Sequence, residues 1–293
     1  MTNLAIELSH LTRTYGSRRG ISDVNLNVAE GSLFGFLGPN GAGKTTAIRV
    51  LLGFLRPTTG TARALNVDCW HDSARLKADV GSIPGDLRLW PWLTGISALK
   101  LFASIRRREM IPQGKILADE LELDLAVPVR KMSRGMRQKL GLILALAHQP
   151  RLLILDEPTT ALDPLMQDRL RKILRKMATA GHTVFFSSHT LGEVEELCER
   201  IAIVKQGQIV ADGTLDDLRA NVGREVAIAW QSPADASWPV PSGLTLTSRT
   251  QSHWQGTHSG DPRDLLAFLA SKPVQDVSIT KVDLETLFRR FYE

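Results

Sequence analysis

A single loop constrains this chain most: Gly38-Pro39-Asn40-Gly41-Ala42-Gly43-Lys44-Thr45 fits the pattern G-x-x-x-x-G-K-[ST] at every fixed position. The short apolar run Leu33–Leu37 precedes it, and Thr45–Leu52 follows with helical character. That context is a buried strand turning sharply into a helix. Leu152–Leu155 and Val184–Phe186 are two further compact apolar runs, each followed by polar residues and then a helical pattern. Repeated strand-then-helix units with wholly apolar strands imply a largely parallel sheet covered on both faces. The expected class is therefore α/β. Leu4–Leu8 and Val24–Val28 instead alternate apolar and polar residues, as half-buried antiparallel strands do, and Ile201–Val204, Gln206-Gly207, Gln208–Val210 reads as a hairpin.

The loop's chemistry follows from its residue types. Glycines let backbone N–H groups converge on phosphate oxygens, and the helix N-terminus behind them adds partial positive charge. The candidate nucleotide-binding residues are thus Gly38, Pro39, Asn40, Gly41, Ala42, Gly43, Lys44, Thr45 and Thr46. Lys44 is placed to reach the β- and γ-phosphates of ATP, and the Thr45 hydroxyl to ligate Mg²⁺. Such a loop needs a magnesium-holding carboxylate at the end of a neighbouring buried strand. Arg151-Leu152-Leu153-Ile154-Leu155-Asp156 supplies one: Asp156 is expected to hold the ion through water, and Glu157 to polarise the attacking water as general base.

Composition narrows the setting. A 43% hydrophobic and 23% charged chain of 293 residues suffices for one large domain with a sizeable core plus a smaller one. No apolar run approaches the ~18 residues of a bilayer span; Leu140–Ala147 is stopped by His148, Gln149, Pro150 and Arg151. Met1–Glu7 lacks a basic segment followed by an apolar core, so no signal peptide is expected. Cys69 and Cys198 are far apart and without metal spacing, which argues against disulfides and zinc and for a reducing cytoplasm. The net charge of +5 is scattered, and Arg106-Arg107-Arg108 reads as a solvated helix face, so no nucleic-acid partner is expected.

The segment between the two motifs chooses among P-loop ATPases. Met132-Ser133-Arg134-Gly135-Met136-Arg137-Gln138-Lys139-Leu140 resembles the L-S-G-G-Q signature of ABC-type ATPases, and is most similar to the S-K-G-M-R-Q variant of drug- and polysaccharide-export members. By its own pattern it is a helix start, with Ser133 as cap and Met136, Leu140, Ile143, Leu144 and Ala147 at helical spacing. Thr160-Ala161-Leu162-Asp163-Pro164 resembles the family's D-loop, with Asp163 at a dimer seam. His189, after Ser187-Ser188, resembles the switch histidine that contacts the γ-phosphate, and Tyr15 matches the aromatic that stacks on adenine.

The resemblance covers roughly residues 3–221 and implies a P-loop NTPase of ABC type, with an antiparallel β subdomain and a helical subdomain. It further implies an ATP-hydrolysing motor of an ABC-2-type exporter. Two copies close head to tail on two Mg·ATP, each site facing Ser133, Arg134, Gly135 and Met136 of the other copy. They drive a separate transmembrane permease from the cytoplasmic face of the membrane. Two rival readings are a soluble ABC ATPase, which often joins two halves or carries a long insertion, and an ATP sensor without transport. The sensor draws on a departure within Val80–Thr94, which aligns with the family's Q-loop: Gly85 stands where Gln or Glu would reach Mg²⁺ and the attacking water. Asp86 offers only a shorter arm one position on, so slower hydrolysis or looser coupling to a permease is expected.

From residue 223 the texture changes. Residues 1–222 are read as the ATP-binding domain and 223–293 as a small C-terminal α+β domain. Ser232–Gly243, rich in Pro, Ser and Ala, reads as a loop, Leu265–Leu269 as helical and Val277–Thr280 as extended, with Trp230, Trp238 and Trp254 as a small core. Asp283–Tyr292, helical over Leu284–Phe291, resembles the L-E-x-x-F ending of ABC-2-type ATPase subunits.

Overall fold

The structure, a computed structural model, describes residues 3–16, 18–220, 223–235 and 237–281. The Asp283–Tyr292 ending lies outside the described residues. Chain contacts divide the molecule into two units, Met1–Asp212 and Gly213–Glu293. The division falls inside a β-strand, upstream of the composition change at residue 223.

In chain order the first unit begins with strands β1 (Leu4–Tyr15), β2 (Arg18–Ala29) and β3 (Leu33–Leu37), then helix α1 (Lys44–Leu51), β4 (Thr59–Ala64) and β5 (Val67–Asp68). Next come α2 (Ser73–Asp79), β6 (Val80–Ile83) and three helices, α3 (Gly95–Arg106), α4 (Ile111–Glu120) and α5 (Arg134–Leu146). It closes with β7 (Leu152–Asp156), α6 (Pro164–Thr179), β8 (Thr183–Ser188), α7 (Leu191–Leu197), β9 (Arg200–Lys205) and β10 (Gln208–Thr214). A six-stranded sheet runs β10-β9-β3-β8-β7-β6, and β3 pairs in parallel with both β8 and β9. The apolar runs of the sequence are its central strands; every residue of β7 and β8 is buried.

A second sheet, β2-β1-β4-β5, is antiparallel, as the alternation in its first two strands predicts. One apolar core links the two sheets through α1, uniting Ile6, Val24, Ile48, Ile154 and Phe185. Phe34 and Phe185 stack within it at 5.9 Å. Full burial of each such ring contributes about 1.5–3 kcal/mol. The helical subdomain is α3 to α5. Thr94 and Ser97 exchange side-chain-to-backbone bonds in a capping box that starts α3. Leu140–Leu146 of α5 are all buried, so the later turns of that helix lie in the core.

The second unit holds α8 (Leu215–Ala220), β11 (Arg224–Trp230), β12 (Leu244–Arg249), β13 (His253–His258), α9 (Arg263–Ala270) and β14 (Val274–Lys281). Its antiparallel sheet has the order β12-β13-β11-β14. Val226, Ile228 and Trp230 alternate into a core with Trp254, Leu265 and Leu269, and Trp238 packs against it. The three tryptophans thus occupy the role expected of them.

Candidate active site

Neighbouring parallel strands that end together bring their following loops together. Leu37 at the end of β3 is level with Ser188 of β8, and Asp156 at the end of β7 is level with Ser187. The three loops therefore meet outside the carboxyl ends of the strands, the usual ligand position of an open α/β sheet. Gly41 and Gly43 take left-handed φ values of 82° and 107°, and a side chain at Gly43 would strike the Gly20 carbonyl at 2.7 Å. Gly43 also serves as N-cap of α1 without a side-chain cap, so the first-turn N–H groups face the loop.

A cavity of about 200 Å³ opens there, lined by Tyr15, Gly20, Pro39, Asn40, Gly41, Gly43, Lys44, Thr45, Thr46 and Glu157. Gly38 and Ala42 sit behind it; Ala42 is buried, and a Gly38 side chain would meet the Val204 carbonyl at 2.6 Å. Lys44 is buried, its Nζ donating to the carbonyls of Gly38 (2.5 Å) and Pro39 (3.2 Å) and lying 3.3 Å from Glu157 Oε1. His189 Nδ1 lies 3.2 Å from the other oxygen, Glu157 Oε2. Glu157 is thus held between two nitrogens. Its φ of 50°, rare for a residue with a side chain, turns it out of the strand direction.

Thr45 Oγ1 donates to Asp156 Oδ2 at 2.9 Å, and Asp156 is buried. A hydroxyl and a carboxylate, both hard oxygen donors, suit Mg²⁺. A Cβ at Gly85 would lie 3.4 Å from Asp156 Oδ2, so position 85 opens onto this carboxylate. Asp86 does not replace the missing arm: it is exposed, with its carboxylate bound by Arg88 at 2.9 Å. Tyr15 presents a 40% exposed ring at the cavity edge, with the Arg13 guanidinium 5.2 Å from its centroid.

The remaining candidate residues stand apart from this cavity. Ser133 Oγ caps α5 by accepting the Met136 N–H at 3.2 Å, as its sequence predicts. Ser133 and Arg134 are exposed, and Gly135 and Met136 partly so. A Gly135 side chain would meet the Ala161 carbonyl at 2.7 Å. Asp163 caps α6 through Oδ1, accepting the Met166 N–H at 3.0 Å, and is exposed. Sequence reasoning missed Gly20, which has no room for a side chain beside Tyr15, and Gln138, whose Nε2 donates to the Pro158 carbonyl at 2.9 Å. Gly20 carries no local signal, and Gln138, although it stands in the signature segment, acts through a partner 20 positions on that the motif does not name. The two thiols take no part: burial pushes Cys69 up to about 12 and raises Cys198 as well.

The ABC transporter family model matches residues 21–160. An uncharacterized ABC transporter ATP-binding protein of Nostoc sp. (strain PCC 7120) is 36% identical over 278 residues, covering 90% of this chain and 80% of the relative. The bacitracin transport ATP-binding protein BcrA of Bacillus licheniformis is 35% identical, covering 73% of this chain and 71% of BcrA. Among solved structures, the dimeric post-hydrolysis state of the ATP-binding cassette MJ0796, bound to ADP and Pi, superposes with a TM-score of 0.67. It is 25% identical and covers 72% of this chain and 98% of that one.

Proposed function

The chain belongs to the ABC transporter family of ATP-binding proteins and is an ATPase of that family, and from that premise we propose that it is the motor subunit of a membrane exporter. The observation that carries the reading is the split of its candidate residues. Tyr15, Pro39 to Gly41, Gly43 to Thr46 and Glu157 line one cavity, with Asp156 bonded to Thr45 and His189 beside Glu157, whereas Ser133 to Met136 and Asp163 lie exposed or partly exposed elsewhere on the same unit. A second copy, turned head to tail, supplies the missing wall. The Ser133-capped start of α5 is then an anion site for the γ-phosphate held by its partner.

In each site Lys44 and the loop N–H groups hold the phosphates, and Tyr15 stacks on the base. Glu157 accepts the proton of the attacking water while His189 orients it and touches the γ-phosphate. Thr45 and Asp156 hold Mg²⁺, which when bound neutralises charge on the phosphate oxygens. Losing the γ-phosphate removes the group that both copies grip, and the pair loosens. No helix among the described residues is long and apolar enough to cross a membrane. In this reading the transported cargo's path belongs to a separate permease, which docks beside Gly85 and the α3–α4 region at the cytoplasmic face. Similarity to the bacitracin transport protein BcrA supports a transport role over a soluble ATPase or a sensor.

Purifying the tagged chain from detergent-solubilised native membranes is expected to recover a multi-span protein in stoichiometric amount. Recovery only from the soluble fraction, without such a partner, would reject the transporter reading. A second expectation concerns position 85, where an added side chain makes ordinary contact with Asp156. Gly85→Gln is expected to raise basal ATP turnover several-fold and to change its stimulation by the permease. Unchanged values for both would show that the glycine is not what tunes the rate.

A further inference from the structure

Ser187 is the penultimate residue of β8, fully buried, and level with Asp156 across the parallel ladder. Its hydroxyl donates to Asp156 Oδ1 at 2.7 Å, while Thr45 takes the other oxygen, Oδ2. The same residue also holds the neighbour of that aspartate. The Glu157 N–H is shared between the Ser187 carbonyl and the Ser187 Oγ, at 3.2 Å each. Two residues further on, the chain reaches His189, whose ring faces Glu157.

Each bond has a consequence. A carboxylate turns about a broad, two-fold torsion unless both oxygens are engaged. Bound at Oδ1 by Ser187, Asp156 is fixed with Oδ2 toward Thr45 and the opening at Gly85. A left-handed backbone is costly for a residue with a side chain and persists only where its surroundings hold it. The shared bond to Ser187 is what engages the Glu157 N–H in that conformation.

We propose that Ser187 is a positioning residue of the ATPase site, acting on both carboxylates: its hydroxyl sets the plane of Asp156 toward the cation, and its backbone and hydroxyl fix the turn that aims Glu157 at Lys44 and His189. This rests on the reading of Asp156 as cation holder and Glu157 as base. Groups that orient a metal-holding side chain are worth ~10–100-fold in metal affinity or activity.

The test compares Ser187→Ala and Ser187→Cys, which keep the site small and remove a good donor, with Ser187→Thr, which restores one. Mn²⁺ binding with a non-hydrolysable ATP analogue is read by electron paramagnetic resonance. Binding of fluorescent trinitrophenyl-ATP in EDTA is read separately. Ser187→Ala is expected to weaken Mn²⁺ at least ~10-fold while leaving binding in EDTA unchanged, with Ser187→Thr recovering most of the loss. Ser187→Cys gives the same comparison should the alanine variant not fold. Unchanged Mn²⁺ affinity, or a parallel loss of Mn²⁺ and EDTA-resistant nucleotide binding, would overturn the proposal by leaving Ser187 a packing residue. Asp156→Asn separates the two readings. If it fails to weaken Mn²⁺ binding, the assignment of the cation site falls first, and the role of Ser187 with it.

Discussion

Replacing Glu157 with glutamine is expected to cut ATP turnover by more than ~100-fold while ATP accumulates between two copies of the chain. General-base catalysis contributes about 10²–10⁴-fold, and an amide of the same shape cannot take the proton. The geometry makes the second half of the expectation specific. Glu157 lies 3.3 Å from the Lys44 ammonium and 3.2 Å from His189 Nδ1. Glutamine removes a negative charge from the place where the γ-phosphate must sit, so the nucleotide is held more tightly, not less. Light scattering on the purified variant should show a dimer with ATP and a monomer with ADP. Lys44→Ala is the natural contrast, since it removes the phosphate contact itself and should leave a monomer with either nucleotide. Turnover of Glu157→Gln within about threefold of the parent, against the ~100-fold loss expected of a general base, would remove Glu157 from its assigned role. A persistent monomer would remove the clamp.

How much of this was legible in the sequence depended on whether a signal was local. The loop Gly38–Thr45, the strand before it and the helix after it are one continuous stretch, and the structure places them as read. Leu152–Leu155 was recognisable because every residue in it is apolar, which a strand buried on both faces requires. Ser133 was legible as a cap because its acceptor role involves only the next turn. Long-range partners left no such mark. Asp156 and Thr45 are 111 positions apart and Tyr15 and Thr46 31, so their contacts depend on strand order, which the chain does not spell out.

Ser187 shows the limit more sharply. It stands two residues before His189 in a segment the sequence singles out, yet its three bonds to the 156–157 turn follow only from the ladder register. Composition and contacts divide the chain at different places: composition changes at residue 223, after α8, whereas the contact division falls after Asp212, inside the last strand of the large sheet. Composition reports which residues a loop tolerates, and contacts report what packs together. The two need not change at the same residue.

The second large effect is expected on stability, from Trp254→Ala. Trp254 is 1% exposed, with Trp230 at 5.1 Å in an edge-on contact, Phe268 stacked at 6.0 Å and the Arg249 guanidinium 4.6 Å over its ring. Deleting a buried aromatic of this size costs about 3–5 kcal/mol, against about 5–15 kcal/mol for a whole domain. Among the described residues the second unit has one small core, to which this ring belongs, so the loss is a large share of what holds it. Its edge-on and stacked neighbours cannot close the gap, because Trp230 and Phe268 are each anchored in their own element, β11 and α9. Melting should therefore resolve into two steps. Near-ultraviolet circular dichroism, sensitive to the tryptophan cluster, is expected to fall first, while ATP binding by the first unit survives to the parent's transition. Trp254→Phe, which keeps a ring in the cluster, should restore much of the lost stability. One cooperative transition, with ATP binding lost at the lowered temperature, would mean instead that the accessory unit and the ATPase fold as one, and that residues 213–293 contribute to the stability of the nucleotide site.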